Sequence, residues 1–302
     1  MRAEFAQAII GLHGAHPNLV FITGDLGYMA LEEVSKTYGK RFVNAGVAEQ
    51  NMVSLAAGMA YEGFLPWVYS IAPFAVVRPY EQIRNDVCLH NLPVKIVGNG
   101  GGYGYGIMGS THHTLEDIGV MRVLPNMNVY VPLLASDVNE AVRMMAVDPA
   151  PNYLRLNLGA RIPGPIGPFA PWRNIARGTK GVIISTGPVV GNLFELPQRD
   201  LVAQFDIWSV GMFPIRELPE ELLDRIRSTR TVVTMEEHYG QCGLNETLAA
   251  RLLGSLDRGI TFRNIFAHGY PSGRYGSQRW HQEENGLAGA SLESLLKEVI
   301  HA

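Results

Sequence analysis

The chain predicts an α/β protein of two successive domains, each built on a mostly parallel sheet, and three observations support this. Short runs that are apolar on both faces alternate with longer helical stretches, as expected for strands covered by helices on either side. That rhythm breaks once, over the Pro- and Gly-rich segment from Gly159 to Arg177, and then resumes. Finally, 302 residues with 47% hydrophobic and 18% charged side chains suffice for about two cores.

In chain order, the strands expected in the first domain are LVFIT at 19–23, RFVNA at 41–45, LPWVYSI at 65–71, PVKIVGN at 93–99, NVYVPL at 128–133 and NYLRLN at 152–157. This domain takes residues 1–160, a linker follows at 161–178, and the second, smaller domain takes 179–302. Its expected strands are GVIIST at 181–186, FDIWSV at 205–210, TVVTMEE at 231–237 and TFRNIFA at 261–267, with helices at 244–253 and 291–300. In parallel sheets, ligands gather at the carboxyl ends of the strands. Thr23-Gly24-Asp25-Leu26 follows the first strand, Glu49 the second and a Gly-rich loop the fourth, so three chemically suggestive places share one edge.

The net charge of −3, from 25 basic and 28 acidic residues without a long Lys/Arg run, gives no reason to expect nucleic acid or an anionic membrane as partner. No apolar run approaches the roughly 18 residues of a spanning helix, and the start carries an acid and no small-residue cleavage site, so the expected address is cytoplasmic. Cys88 and Cys242 stand far apart without metal-ligand spacing and read as buried free thiols.

Glu49 opens a helix whose apolar face, taken at i, i+3, i+4 and i+7, is Met52, Leu55, Ala56 and Met59. A carboxylate on or beside such a face needs a partner, although an isolated Glu here would simply favour the helix dipole. Gly104 to Gly109 spells G-x-G-x-x-G, yet it lies past a Gly-Gly-Gly stretch rather than at a strand-to-helix turn, and no acidic residue stands about 20 positions on to take a ribose, so a dinucleotide site is rejected. His112 and His113 are adjacent, project in different directions and lack a third ligand, which argues against a metal. Thr114 to Asp117 reads as a helix start with a hydroxyl cap.

The pattern G-x-x-E-x-x-M at Gly46 to Met52, followed by Ala and Gly, resembles the helix of the pyrimidine-binding domain of transketolase and 1-deoxyxylulose-5-phosphate synthase. T-H-x-x-x-E-D-I from Thr111 and R-x-x-P-N-M from Arg122 are similar to the signature after the substrate loop of these enzymes. In the second domain, T-V-V-T-M-E-E-H-Y-G-Q-C-G-L from Thr231 resembles the transketolase C-terminal domain, where Glu236, Glu237 and His238 are expected to serve structure.

The resemblance implies a thiamine diphosphate enzyme that transfers a two-carbon ketol or acyl unit between sugar-type substrates. Glu49 takes the position of the catalytic glutamate that hydrogen-bonds N1′ of the aminopyrimidine, and His112 that of the active-site histidine. Phe74, or its neighbour Tyr69, is the candidate aromatic face for the pyrimidine, and Asp25 the Asp beside the cofactor. Arg2 and Arg155 are candidates for an anionic substrate. Met108 stands where transketolases of ordinary sugar phosphates carry an Asp, which suggests a bulkier or less phosphate-dependent acceptor, such as a modified or nucleotide-linked sugar, with Tyr103 and Tyr105 lining an enlarged pocket. The likeness covers only the second half of a full-length transketolase, and the G-D-G…N motif for Mg²⁺ and diphosphate is missing. An N-terminal transketolase-like subunit is therefore expected to hold Mg²⁺, around a homodimer of this chain within a heterotetramer. Two rivals are a beta-type subunit of a 2-oxo acid dehydrogenase or decarboxylase, which lacks T-H-x-x-x-E-D, and a non-catalytic, partner-binding subunit.

Overall fold

The computed structural model describes residues 1–27, 29–256 and 259–301. Its strands are β1 (Leu19–Thr23), β2 (Phe42–Asn44), β3 (Leu65–Ile71), β4 (Lys95–Asn99), β5 (Asn128–Tyr130), β6 (Asn152–Leu156), β7 (Trp172–Ala176), β8 (Gly181–Thr186), β9 (Phe205–Val210), β10 (Met212–Phe213), β11 (Thr231–Tyr239) and β12 (Thr261–Ala267). The first sheet runs β10-β5-β6-β4-β3-β1-β2 and the second β12-β11-β8-β9-β7. All pairings are parallel except β10 on β5 and β7 on β9, each at a sheet edge. The expected α/β class is thus observed in both halves.

Every strand expected from an apolar run forms; β2, β4, β5 and β6 are shorter than expected, and β11 runs two residues further, to Tyr239. β4 starts at Lys95, beyond Pro93, and β5 stops at Tyr130, before Pro132; proline cannot donate to a ladder. Two strands depart from expectation. β7 falls inside the segment expected to be a linker, and its half-buried residues owe their extended form to antiparallel pairing with β9. β10 is two residues long and crosses back to cover the outer edge of β5, where unpaired backbone would otherwise be exposed.

The first sheet carries a core on each face. On one, the helices Arg2–Leu12 and Asp137–Val147 bury Phe5, Ile9, Val142 and Met145 with Phe21, Trp67 and Tyr69. On the other, the helix Glu49–Tyr61 packs Met52, Val53, Ala56, Ala57 and Ala60 against Ile22, Val68 and Ile96. Leu55 and Met59, expected to face inward, are only half-buried. The alanines instead set the helix rotation, because their small side chains bring the backbone close to the sheet. That same core continues without a break into Ile184, Trp208, Leu222 and Leu248 of the second unit. The helix expected to start near Thr114 begins at Asp117. Thr114 instead forms an extended bridge with Gly102, each amide donating to the other's carbonyl at 2.8 and 3.0 Å.

Candidate active site

Strand order reverses around β1, with β2 on one side and β3 on the other, and at such a point the connections leave a crevice at the carboxyl edge. The turn after β2 delivers Glu49 there. Gly46 adopts φ +73°, a conformation that favours glycine, and Asn44 accepts its amide at 2.9 Å while donating to Asp25 at 3.1 Å. Asp25 itself is exposed. Glu49 is the first residue of its helix and only 4% exposed. Its Oε2 accepts from Arg78 Nη1 at 2.7 Å, and its Oε1 faces Gly24, where an added Cβ would come within 4.0 Å.

The connection after β3 brings Phe74 on the helix Ala72–Val76. Phe74 is half-buried; its ring lies edge-on to His112 at 5.3 Å, and the Arg78 guanidinium sits over it at 4.2 Å. The loop after β4 brings Tyr105 and His112, whose rings are 5.9 Å apart. Tyr105 Oη accepts from Asn99 at 2.8 Å, and His112 Nδ1 shares a hydrogen bond with Thr111 at 2.9 Å. Glu49, Phe74, Arg78 and His112 are therefore joined through direct contacts. The residue that sequence reasoning passed over is Arg78. It stands four positions after Phe74 but past the end of the helix Ala72–Val76, so helical spacing alone did not pair the two.

Other candidates lie elsewhere. Tyr69 is 2% exposed and stacks on Phe5 at 5.5 Å, in the core on the sheet face opposite the Glu49 helix. Successive strand residues point to opposite faces, so Val68 and not Tyr69 meets that helix. Burial pushes the Tyr69 hydroxyl well above its usual range. Arg155 is no surface anion reader. It is 3% exposed and donates to Asp117 Oδ2 at 2.8 Å and to the carbonyls of Thr114 and Glu237 at 3.2 and 3.0 Å. Tyr103 is fully buried, with its hydroxyl on the Gly269 carbonyl at 2.7 Å and its ring stacked on His281 at 4.8 Å, so it cannot line an enlarged pocket. Met108 is 54% exposed on the turn Gly106–Met108. Arg2 is exposed at the start of the first helix.

The second unit pins the loop that carries His112. Glu237 accepts from the Tyr103 amide at 2.6 Å and from Gln282 and Gln278 at 2.5 and 3.0 Å, and burial raises its carboxyl. His113 bonds the Gly106 carbonyl at 2.8 Å and the Tyr270 hydroxyl at 3.0 Å. Burial first, and then His281, lower the His113 imidazolium to about 4. Glu236 accepts from the amides of Leu244 and Asn245 at 2.6 and 3.0 Å, capping the helix Leu244–Leu253, and burial raises it to about 7. His238 accepts from the Gly119 amide at 3.1 Å.

A buried carboxylate opening a helix, an aromatic ring beside it and a histidine from the next loop converge at one sheet edge. The family model of the transketolase pyrimidine-binding domain matches residues 1–160. The chain belongs to the transketolase family. It is similar to an apulose-4-phosphate transketolase subunit of Phocaeicola vulgatus, 30% identical over 294 residues that cover 88% of this chain and 92% of that protein. It is also similar to 1-deoxy-D-xylulose-5-phosphate synthase of Pelotomaculum thermopropionicum, 30% identical over 265 residues, 85% of this chain but 41% of that protein. Among solved structures, a split gene transketolase described as an inactive beta4 tetramer superposes with a TM-score of 0.83 at 27% identity, covering 99% of this chain and 98% of that one.

Family membership implies dependence on thiamine diphosphate, and the residues present fit its pyrimidine half. Glu49 offers a buried carboxylate to a ring nitrogen, Phe74 offers a face to an aromatic ring, and Gly24 leaves open the space that a side chain would fill beside Glu49 Oε1. No helix of the described residues is long and apolar enough to cross a membrane.

Proposed function

We propose that this chain is the pyrimidine-binding half of a two-chain, thiamine diphosphate-dependent transferase that moves a two-carbon ketol or acyl unit between sugar-type substrates. The observation that carries this reading is Glu49, a carboxylate 4% exposed at the head of its helix and bonded to an arginine that stacks on Phe74. When bound, thiamine diphosphate supplies the carbon nucleophile, and the protein supplies orientation and proton handling. Glu49 holds a proton at N1′ of the pyrimidine, and Phe74 packs on that ring. Asp25, through Asn44, fixes the Gly46 turn from which Glu49 projects. His112 donates to the substrate oxygen, within hydrogen-bond reach of Thr111, which orients its ring. Arg2 is the exposed cation for an anionic substrate group. Arg155 is withdrawn from that role and Tyr103 from the pocket. Met108 cannot make the hydroxyl contact of the Asp it replaces, so substrate discrimination rests on Tyr105 and the loop around it.

Mg²⁺ and the diphosphate fall to a separate N-terminal transketolase-like subunit, with a homodimer of this chain inside a heterotetramer. Three observations support the division: the chain spans 41% of the 1-deoxy-D-xylulose-5-phosphate synthase but 92% of a relative that is itself named as one transketolase subunit, it has no G-D-G…N motif, and a structurally similar beta4 tetramer is described as inactive. The relative named for apulose 4-phosphate favours a phosphorylated sugar over the bulkier or less phosphate-dependent acceptor that Met108 suggests. Titration calorimetry with thiamine diphosphate and Mg²⁺ tests the reading. The pair of chains should bind in the micromolar range and the isolated chain should not; micromolar binding by this chain alone contradicts the division.

A further inference from the structure

Arg78 has no place in the mechanism above, yet it touches both groups assigned to the pyrimidine. Its Nη1 lies 2.7 Å from Glu49 Oε2, and its guanidinium lies 4.2 Å from the Phe74 ring centre. A guanidinium is flat, cationic and rich in N–H donors, so it can stack on an aromatic face and donate to a carboxylate at once. Those are the two contacts an aminopyrimidine would make here. The Arg78 side chain is 44% exposed while that of Glu49 is 4% exposed, so the arginine can leave for solvent while the carboxylate stays. Its backbone lies just past the helix Ala72–Val76, before Pro79.

We infer that Arg78 is a gate on the pyrimidine site: its guanidinium occupies the position of the pyrimidine against Glu49 and Phe74 and must swing outward to admit it. This rests on the assignment of Glu49 and Phe74 to the pyrimidine. Binding at the site is an exchange, in which one ion pair and one cation–π contact are given up for one ring hydrogen bond and one stacked ring. At a partly exposed site the two surrendered contacts weaken pyrimidine binding by roughly three- to thirtyfold. The gate therefore favours occupancy only when a further anchor, the diphosphate on the partner subunit, holds the cofactor in place.

The test is a ligand-observed NMR titration of the full chain with the free pyrimidine, 4-amino-5-hydroxymethyl-2-methylpyrimidine. Wild type, Arg78→Ala, Arg78→Lys, Glu49→Gln and the double variants Arg78→Ala/Glu49→Gln and Arg78→Ala/Phe74→Ala are compared. Arg78→Ala should bind at least about threefold tighter than wild type, and Arg78→Lys, which keeps the charge but loses the flat stack, should fall between them. Both double variants should lose the gain. Binding by Arg78→Ala that is equal to wild type, weaker or undetectable overturns the gate, and if Glu49→Gln still weakens the wild-type chain, the pyrimidine assignment survives it. Should Arg78→Ala bind more tightly while both double variants bind as well as it does, the pyrimidine does not sit on Glu49 and Phe74, and both readings fall.

Discussion

Arg155→Met separates a structural arginine from a substrate-reading one. In the fold, Arg155 is 3% exposed and joins the two units, with Asp117 and Thr114 on one side and Glu237 of β11 on the other. Removing the guanidinium leaves Asp117, fully buried, with the Tyr153 hydroxyl at 2.7 Å on Oδ2 and no partner on Oδ1 among the described residues. Two carbonyls lose a charged donor as well. Breaking one side of a buried ion pair costs about 3–5 kcal/mol because a buried charge is left uncompensated, and the methionine recovers part of the packing of the lost stem. Urea unfolding of the chain should show a lower midpoint with unchanged slope. The double variant Arg155→Met/Asp117→Leu removes both charges and should lose less than Arg155→Met alone. If Arg155→Met instead stays within about 0.5 kcal/mol of wild type while raising KM for an anionic substrate in the reconstituted enzyme, the interface assignment is wrong and the substrate role is restored.

Two further outcomes follow from the geometry. His113 is held down at about 4 against an ordinary 6.5, so between these values the unfolded chain carries a proton that the folded chain does not; stability must fall as pH drops through that window, and the loss is complete below about 4. His113→Gln removes this contribution, so its urea midpoint should decline less than that of wild type between pH 7 and 4, and parallel declines would contradict the assignment. Gly98→Ala would put a Cβ 2.6 Å from the Tyr153 hydroxyl and 3.1 Å from the Ala72 Cα, beneath the helix that carries Phe74. Overpacking of this kind costs about 1–3 kcal/mol; an unchanged melting temperature would show that the strand yields.

Much of the fold was readable because parallel strands buried on both faces leave continuous apolar runs, as in LVFIT and FDIWSV, and turn residues mark their ends. β7 and β10 were not. Trp172–Ala176 is a half-buried edge strand inside a Pro/Gly segment, extended because β9 pairs with it, and a two-residue strand between Gly211 and Pro214 carries no period to read. Glu49, Phe74 and His112 could be expected at one edge because each follows a strand of one parallel sheet, and they do lie together there. Tyr69 could not be excluded, since with both faces apolar the alternation does not say which face holds the Glu49 helix. Tyr103 and Arg155 were misread for one shared reason. Their partners, Gly269 and Asp117, are 166 and 38 residues away in sequence, and only folding reveals that a polar group near a site is already satisfied.

The central claim is that Glu49 handles the proton at the pyrimidine of the cofactor. Turnover by the two-chain complex, with wild type and Glu49→Gln in parallel, tests it most directly on ketose phosphate substrates with thiamine diphosphate and Mg²⁺. The amide is nearly isosteric and can still accept from Arg78, so the variant should fold, assemble with its partner and lose about 10²- to 10⁴-fold in kcat. A complex of normal stoichiometry that turns over near the wild-type rate would remove Glu49 from the chemistry and contradict the account.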